Sequence, residues 1–149
     1  MRAYRFSIAI DRPPEAVWAY LTDLSKAPKW RTMFRSMEVV GGGPLGPDSK
    51  LRVVMEGYGK VSERIIETTA FEAPRRWVTH SESGGVSGDF EYAVSPSNGG
   101  TTLTTSLELH AHRWLAWLFL PLVARQERRL RTGQLAAFKR ACEESTPRA

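Results

Sequence analysis

The chain has 149 residues, 42% hydrophobic and 25% charged, which suits one domain around a single core and leaves no stretch for a linker or a long disordered segment. Its net charge of +5 is unevenly placed: residues 1–111 hold 13 basic and 13 acidic side chains and residues 112–149 hold 8 and 3, which argues against a general nucleic-acid-binding surface. The lone Cys142 excludes an intrachain disulfide, and the longest apolar run, Trp114 to Ala124, is eleven residues where a membrane-spanning helix takes about 20.

Residues 2–10 alternate, with Tyr4, Phe6, Ile8 and Ile10 on one side, the period of a half-buried strand. A strand in place of a signal peptide, together with the single cysteine, makes the cytoplasm the expected location. Asp11 and Pro13-Pro14 predict a helix start, so residues 15–24 form a short helix with Val17, Trp18, Tyr20 and Leu21 as its apolar face. A second short segment runs from Ser25 to Trp30. Strands are predicted at 33–40, 50–56, 60–71, 77–83, 86–95 and 101–111, separated by Gly, Pro and Asn turns. Connections this short make neighbouring strands antiparallel. Gly41-Gly42-Gly43 lacks the Lys-Ser/Thr of a phosphate-binding loop and is a turn.

From Arg113 the period becomes helical. Leu115, Phe119, Leu122, Leu130, Ala137 and Ala141 fall on one face, Phe138 lies beside it, and Arg125, Arg128, Arg129 and Lys139 lie elsewhere. A seven-stranded open antiparallel sheet needs its concave face covered, and the last helix is the only long amphipathic one. The expected fold is therefore α+β: a curved meander gripping a long C-terminal helix, with two short helices after the first strand. The domain is expected to span residues 1–145, with 146–149 a disordered tail.

Residues Ile10-Asp11-Arg12-Pro13-Pro14-Glu15-Ala16-Val17-Trp18, Leu24-Ser25-Lys26-Ala27-Pro28-Lys29-Trp30, Phe71-Glu72-Ala73-Pro74-Arg75-Arg76-Trp77 and Gly99-Gly100-Thr101-Thr102-Leu103-Thr104 resemble, in order and spacing, the bacterial branch of the START/Bet v 1-like superfamily described as polyketide cyclase/dehydrase and lipid-transport proteins. The resemblance covers nearly the whole chain and implies the helix-grip fold and a pocket. It implies no particular reaction, because that superfamily has carriers, receptors, cyclases and chaperone activators without a shared catalytic motif.

Strand faces assigned by apolar content give a concave wall of Phe6, Ile8, Leu51, Val53 and Met55 with Trp77, Thr79, Phe90, Tyr92, Leu107 and Leu109. The candidate ligand-binding residues are Met55, Trp77, Thr79, Phe90, Tyr92 and Leu107, with Phe119 and Leu122 from the helix. The same side chains also read as ordinary core. Tyr92 and Thr79 stand out because a buried hydroxyl needs a partner. Arg64, Glu67 and His80 are candidate polar pocket groups: on the long strand either Arg64 or Glu67 faces inward, and His80 beside Glu82 reads as an acid/base pair or as a solvent-facing pair. His80, His110, His112 and Cys142 have no metal-ligand spacing, so no metal or cofactor is expected.

The expected partner is a small hydrophobic molecule, a lipid, isoprenoid, polyketide or aromatic metabolite, bound mainly through apolar burial at about 25 cal/mol per Å². One alternative is a cyclase or dehydratase using the same pocket; another is a protein-interaction module built on the last helix. The segment Trp114 to Val123 is apolar all round, followed by Arg125, Arg128, Arg129 and Arg131. It reads as buried against the first helices or in a homodimer, or as a peripheral membrane contact.

Overall fold

In the computed structural model, which describes residues 2–31, 33–57, 59–83 and 85–145, the alternating N-terminus forms strand β1 (Arg2–Ile10), its Phe6, Ile8 and Ile10 turned into the core. Helix α1 (Pro14–Thr22) follows with Pro14 in its first turn and the expected Val17, Trp18, Tyr20 and Leu21 buried. Asp11 does not cap it. Pro13 is the cap residue, and the Asp11 amide instead donates to the Glu143 carboxylate at 2.8 Å. A 3₁₀ turn (Leu24–Lys26), started by the Asp23 carboxylate accepting from the Ser25 amide, leads into the four-residue helix α2 (Ala27–Trp30).

Six strands then run in succession: β2 (Phe34–Val39), β3 (Lys50–Gly57), β4 (Lys60–Glu72), β5 (Arg76–Ser83), β6 (Val86–Ser97) and β7 (Gly100–Ala111). Every adjacent pair is antiparallel and the sheet order is β1-β7-β6-β5-β4-β3-β2, so β1 closes against the last strand and both edges stay open. The remaining element is helix α3 (Trp114–Glu144), which lies over β1 and β7 and against α2. This is the helix-grip architecture expected from the sequence. The tail expected at 146–149 lies outside the described residues.

The main core sits under the C-terminal half of α3. Phe138 is fully buried and meets Trp30 edge-on at 4.9 Å and Tyr20 at 5.5 Å, while Trp77 and Tyr92 continue the aromatic layer at 5.9 Å. That end of the helix is also tied down by polar contacts: Lys139 donates to the Ala9 carbonyl and to Glu143, and Arg12 donates to the Glu143 carbonyl. A smaller cluster of Phe90, Leu107, Leu109, Leu120 and Ala124 holds the other half.

Of the helical face expected from the sequence, Leu130, Ala137 and Ala141 do turn toward the cavity or the core, but the phase of the first turns of α3 differs. Its buried residues are Leu120, Ala124, Gln134, Leu135, Phe138 and Cys142, whereas Leu115, Phe119 and Leu122 are exposed. With Glu127 and Arg131, which line the cleft beneath, the inward stripe follows steps of three and four from Leu120 to Cys142. A search for the most apolar face misses this stripe because its middle is polar.

Candidate functional site

Along β5 the inward residues are Trp77, Thr79 and Ser81, and along β6 they are Gly88, Phe90, Tyr92 and Val94, so period-two alternation sets a polar and aromatic strip across the centre of the concave face. Beneath the middle of α3 this strip leaves a cavity of about 70 Å³. Its sheet wall includes Met55, Arg64, Thr79, Phe90 and Tyr92; its helix wall is Glu127, Leu130, Arg131 and Gln134; Arg31, Phe34 and Met37 close it from the α2–β2 side. An adjoining open cleft of about 300 Å³ shares Arg64, Ser81, Phe90 and Glu127 with it and continues past Val86, Leu109 and Val123. Gly88 lets the Phe90 ring and Leu109 close in on its backbone: a Cβ there would lie 2.9 Å from the Phe90 ring and 3.2 Å from Leu109.

At the closed end, two arginines from distant segments meet on one phenol. Arg31, delivered by the end of α2, donates to Tyr92 Oη at 2.8 Å, and Arg131 from α3 donates to the same oxygen at 3.2 Å and to Gln134 Oε1 at 3.2 Å. The Arg31 guanidinium lies 4.1 Å from the Trp30 ring centre and 5.1 Å from that of Tyr92, and Arg131 lies 4.1 Å from that of Phe90. Glu127 answers Arg131 at 3.6 Å. Arg31 has no carboxylate within ion-pair distance among the described residues, and both arginine Nε atoms are buried without a hydrogen-bond partner.

These surroundings shift both groups. Burial, reinforced by Arg131, lowers the Arg31 pKa against the supporting contact with Tyr92. Burial alone would raise the Tyr92 phenol, but the Arg31 and Arg131 charges and their hydrogen bonds outweigh it, so its pKa falls below the ordinary tyrosine value. A phenol held this way can accept, donate or stabilise negative charge.

Of the residues singled out in the sequence, Met55, Thr79, Phe90, Tyr92 and Arg64 line the cavity. Trp77 and Leu107 are buried but belong to the packed core, where the Trp77 indole N–H donates to Thr68 Oγ1 at 3.3 Å. Phe119 and Leu122 do not reach the cleft, for the helix-phase reason given above. Glu67 and His80 stand opposite each other on the outer face of β4 and β5, away from the cavity. There His80 bonds Asp89 at 2.8 Å and Glu82 at 3.4 Å, a surface cluster that raises the histidine pKa through the Asp89 hydrogen bond first. It is the solvent-facing pair and not a pocket acid/base couple.

Sequence reading missed Arg31 and Gln134 and grouped Arg131 with the surface arginines that follow the apolar segment, whereas it lines the cavity. For Arg131 and Gln134 a signal existed, since both continue the three-and-four spacing from Ala124 to Phe138. For Arg31 the only hint was its position directly after Trp30 at the end of a helix. Among the described residues there is no cluster of histidine, cysteine or carboxylate side chains fit for a metal, and no helix long and apolar enough to cross a membrane.

A seven-stranded antiparallel sheet gripping a C-terminal helix over an internal cleft defines a START/Bet v 1-like protein. Within that class the chain belongs to the polyketide cyclase / dehydrase and lipid transport family, whose model matches residues 1–143. No curated protein matches the sequence. Solved structures agree in fold at low identity. A Thermus thermophilus protein is 19% identical with a TM-score of 0.77, covering 98% of this chain and 100% of its own. A START superfamily protein from Mycobacterium smegmatis is 16% identical with a TM-score of 0.76, over 97% and 99%. A Streptomyces aromatase/cyclase is 13% identical with a TM-score of 0.72, over 95% and 93%.

Proposed function

We propose that the protein binds a small, largely apolar molecule, such as a lipid, isoprenoid, polyketide or aromatic metabolite, between α3 and the concave face of the sheet, and carries or presents it. The observation that carries this reading is the incomplete closure of helix on sheet: the enclosed cavity of about 70 Å³ opens into a cleft of about 300 Å³ walled by Phe90, Leu109 and Val123. Small-molecule sites run from about 300 Å³ upward, so the ligand occupies the cleft as well as the cavity. Native mass spectrometry of the purified protein, followed by solvent extraction, tests it. A co-purifying apolar molecule supports the reading. Apoprotein that also fails to bind fluorescent apolar probes removes it.

A second observation extends the reading to where the ligand is collected. Trp114, Leu115, Trp117, Leu118, Phe119 and Leu122 are each 53% to 73% exposed on the first turns of α3. Exposed Arg113, Arg125, Arg128 and Arg129 accompany them, with no acidic residue between Glu108 and Glu127. Apolar side chains flanked by arginines complement an anionic bilayer surface, into which such a helix face sinks by about 5–10 Å. Flotation with vesicles containing phosphatidylserine should recover the protein, and Trp117→Ser with Leu118→Ser should release it. Equal recovery of both forms would remove the membrane reading.

The phenol of Tyr92, held between two cations, also favours an enzyme of the cyclase or dehydratase type, in which it would stabilise an enolate or pass a proton. Tyr92→Phe separates the two: a carrier has no turnover to lose, whereas an enzyme loses turnover of a linear polyketide mimic.

A further inference from the structure

Hydrogen-bond donors converge on the closed end of the cavity with too few acceptors to answer them. Arg31 is 6% exposed and lacks a carboxylate partner among the described residues, Arg131 has Glu127 only at 3.6 Å, and Arg64 reaches the same wall. Tyr92 Oη already accepts from both arginines, and no described residue accepts its own hydrogen. Two guanidiniums, those of Arg31 and Arg131, therefore face one carboxylate. A buried cation without a counter-charge is costly, and an apolar side chain of the same length would pack the site without that cost.

Shape narrows the class of ligand. A cavity of about 70 Å³ is well below the roughly 300 Å³ of a small-molecule site, so it suits a head group such as a carboxylate and not a whole ligand. The adjoining cleft carries an apolar strip of Val86, Phe90, Leu109 and Val123 beside Arg64, Ser81, Ser83 and Glu127, and it is large enough for a tail. Guanidinium forks match the geometry of a carboxylate.

Building on the ligand-binding reading above, we infer that Arg31, Arg131 and Tyr92 form an anchor for the carboxylate of an amphipathic monocarboxylic acid, a fatty or arylalkyl acid, bound head inward with its tail along the cleft. The acid replaces the missing counter-charge of Arg31, takes its free Nε donor and accepts the Tyr92 hydrogen. Its tail leaves between Phe90 and Val123 toward the apolar first turns of α3.

Calorimetric titration of the full chain with dodecanoate, dodecanol and dodecylamine tests the anchor. Charge-assisted hydrogen bonds of this kind correspond to about tenfold to a hundredfold in affinity, so dodecanoate should bind that much more tightly than dodecanol, and dodecylamine more weakly than either. In Arg131→Gln the preference for acid over alcohol should collapse toward unity while dodecanol affinity stays within about threefold. Arg31→Gln should do the same; should that variant not fold, Arg131→Gln alone decides, because its position is only partly buried. Equal affinity for acid and alcohol in the native protein, or a preference that survives both substitutions, overturns the anchor and leaves the apolar-ligand reading standing. Binding of none of the three overturns both.

Discussion

The two halves of α3 have the same backbone and opposite surroundings. From Gln134 to Cys142 the helix buries Leu135, Phe138 and Cys142 in the aromatic core and is pinned through Lys139 and Glu143 to the corner between β1 and α1. From Trp114 to Leu122 its one buried large residue is Leu120, and six large apolar side chains face outward. Leucine and tryptophan content does not separate stabilising from exposed surface; the position of each residue relative to the sheet does. One half is a structural lock and the other is an exposed apolar surface.

Substitution at one position in each half gives the largest contrast. Phe138→Ala opens a void beneath Trp30 and Tyr20 and should cost about 3–5 kcal/mol in urea denaturation, whereas Leu118→Ala should stay within about 0.5 kcal/mol. Similar losses at both positions would abolish the distinction.

Thiol chemistry sharpens the comparison next. Burial, ahead of the opposing Arg12 charge, pushes the Cys142 thiol up to about 11, so at pH 8 it should react with iodoacetamide at least about a hundredfold more slowly than a cysteine introduced as Leu118→Cys. A thiol raised in the folded state from its ordinary 9.0 contributes stability that is fully present below about pH 9 and is lost as pH rises through about 11. Urea midpoints of the native protein and of Cys142→Ala should therefore diverge less as pH climbs across that window.

The double substitution Trp117→Ser with Leu118→Ser should lower partitioning onto anionic vesicles by at least about tenfold and leave the urea midpoint nearly unchanged. A large loss of stability would mean that the first half is locked as well.

The smallest effect belongs to a residue touching neither half. On the convex face, His80 has its pKa raised chiefly by the Asp89 hydrogen bond, so its contribution is complete below about pH 6.5 and disappears as pH rises through its raised folded value. Being partly exposed, it should contribute less than about 1 kcal/mol, seen as a flatter pH profile in His80→Gln, with dodecanoate affinity unmoved.

The succession of elements, the antiparallel meander of β2 to β7 and the covering helix followed from the sequence alone, because alternation along strands and Gly, Pro or Asn at turns are local properties with few topological solutions, whereas the pairing of β1 with β7 did not. Local alternation also placed Thr79, Phe90 and Tyr92 on the inner face, and the Leu115 to Ala141 stripe showed that a helix was present. Which side of that helix turned inward was decided by tertiary structure, since the inward stripe carries Glu127, Arg131 and Gln134 at its centre and burial in a polar cleft leaves no hydrophobic period to read. The meeting of Arg31 and Arg131 on Tyr92 joins residues 61 and 39 positions apart. No local pattern encodes such a meeting: it exists only once α2, β6 and α3 have packed, because the geometry of the grip brings them within hydrogen-bonding distance.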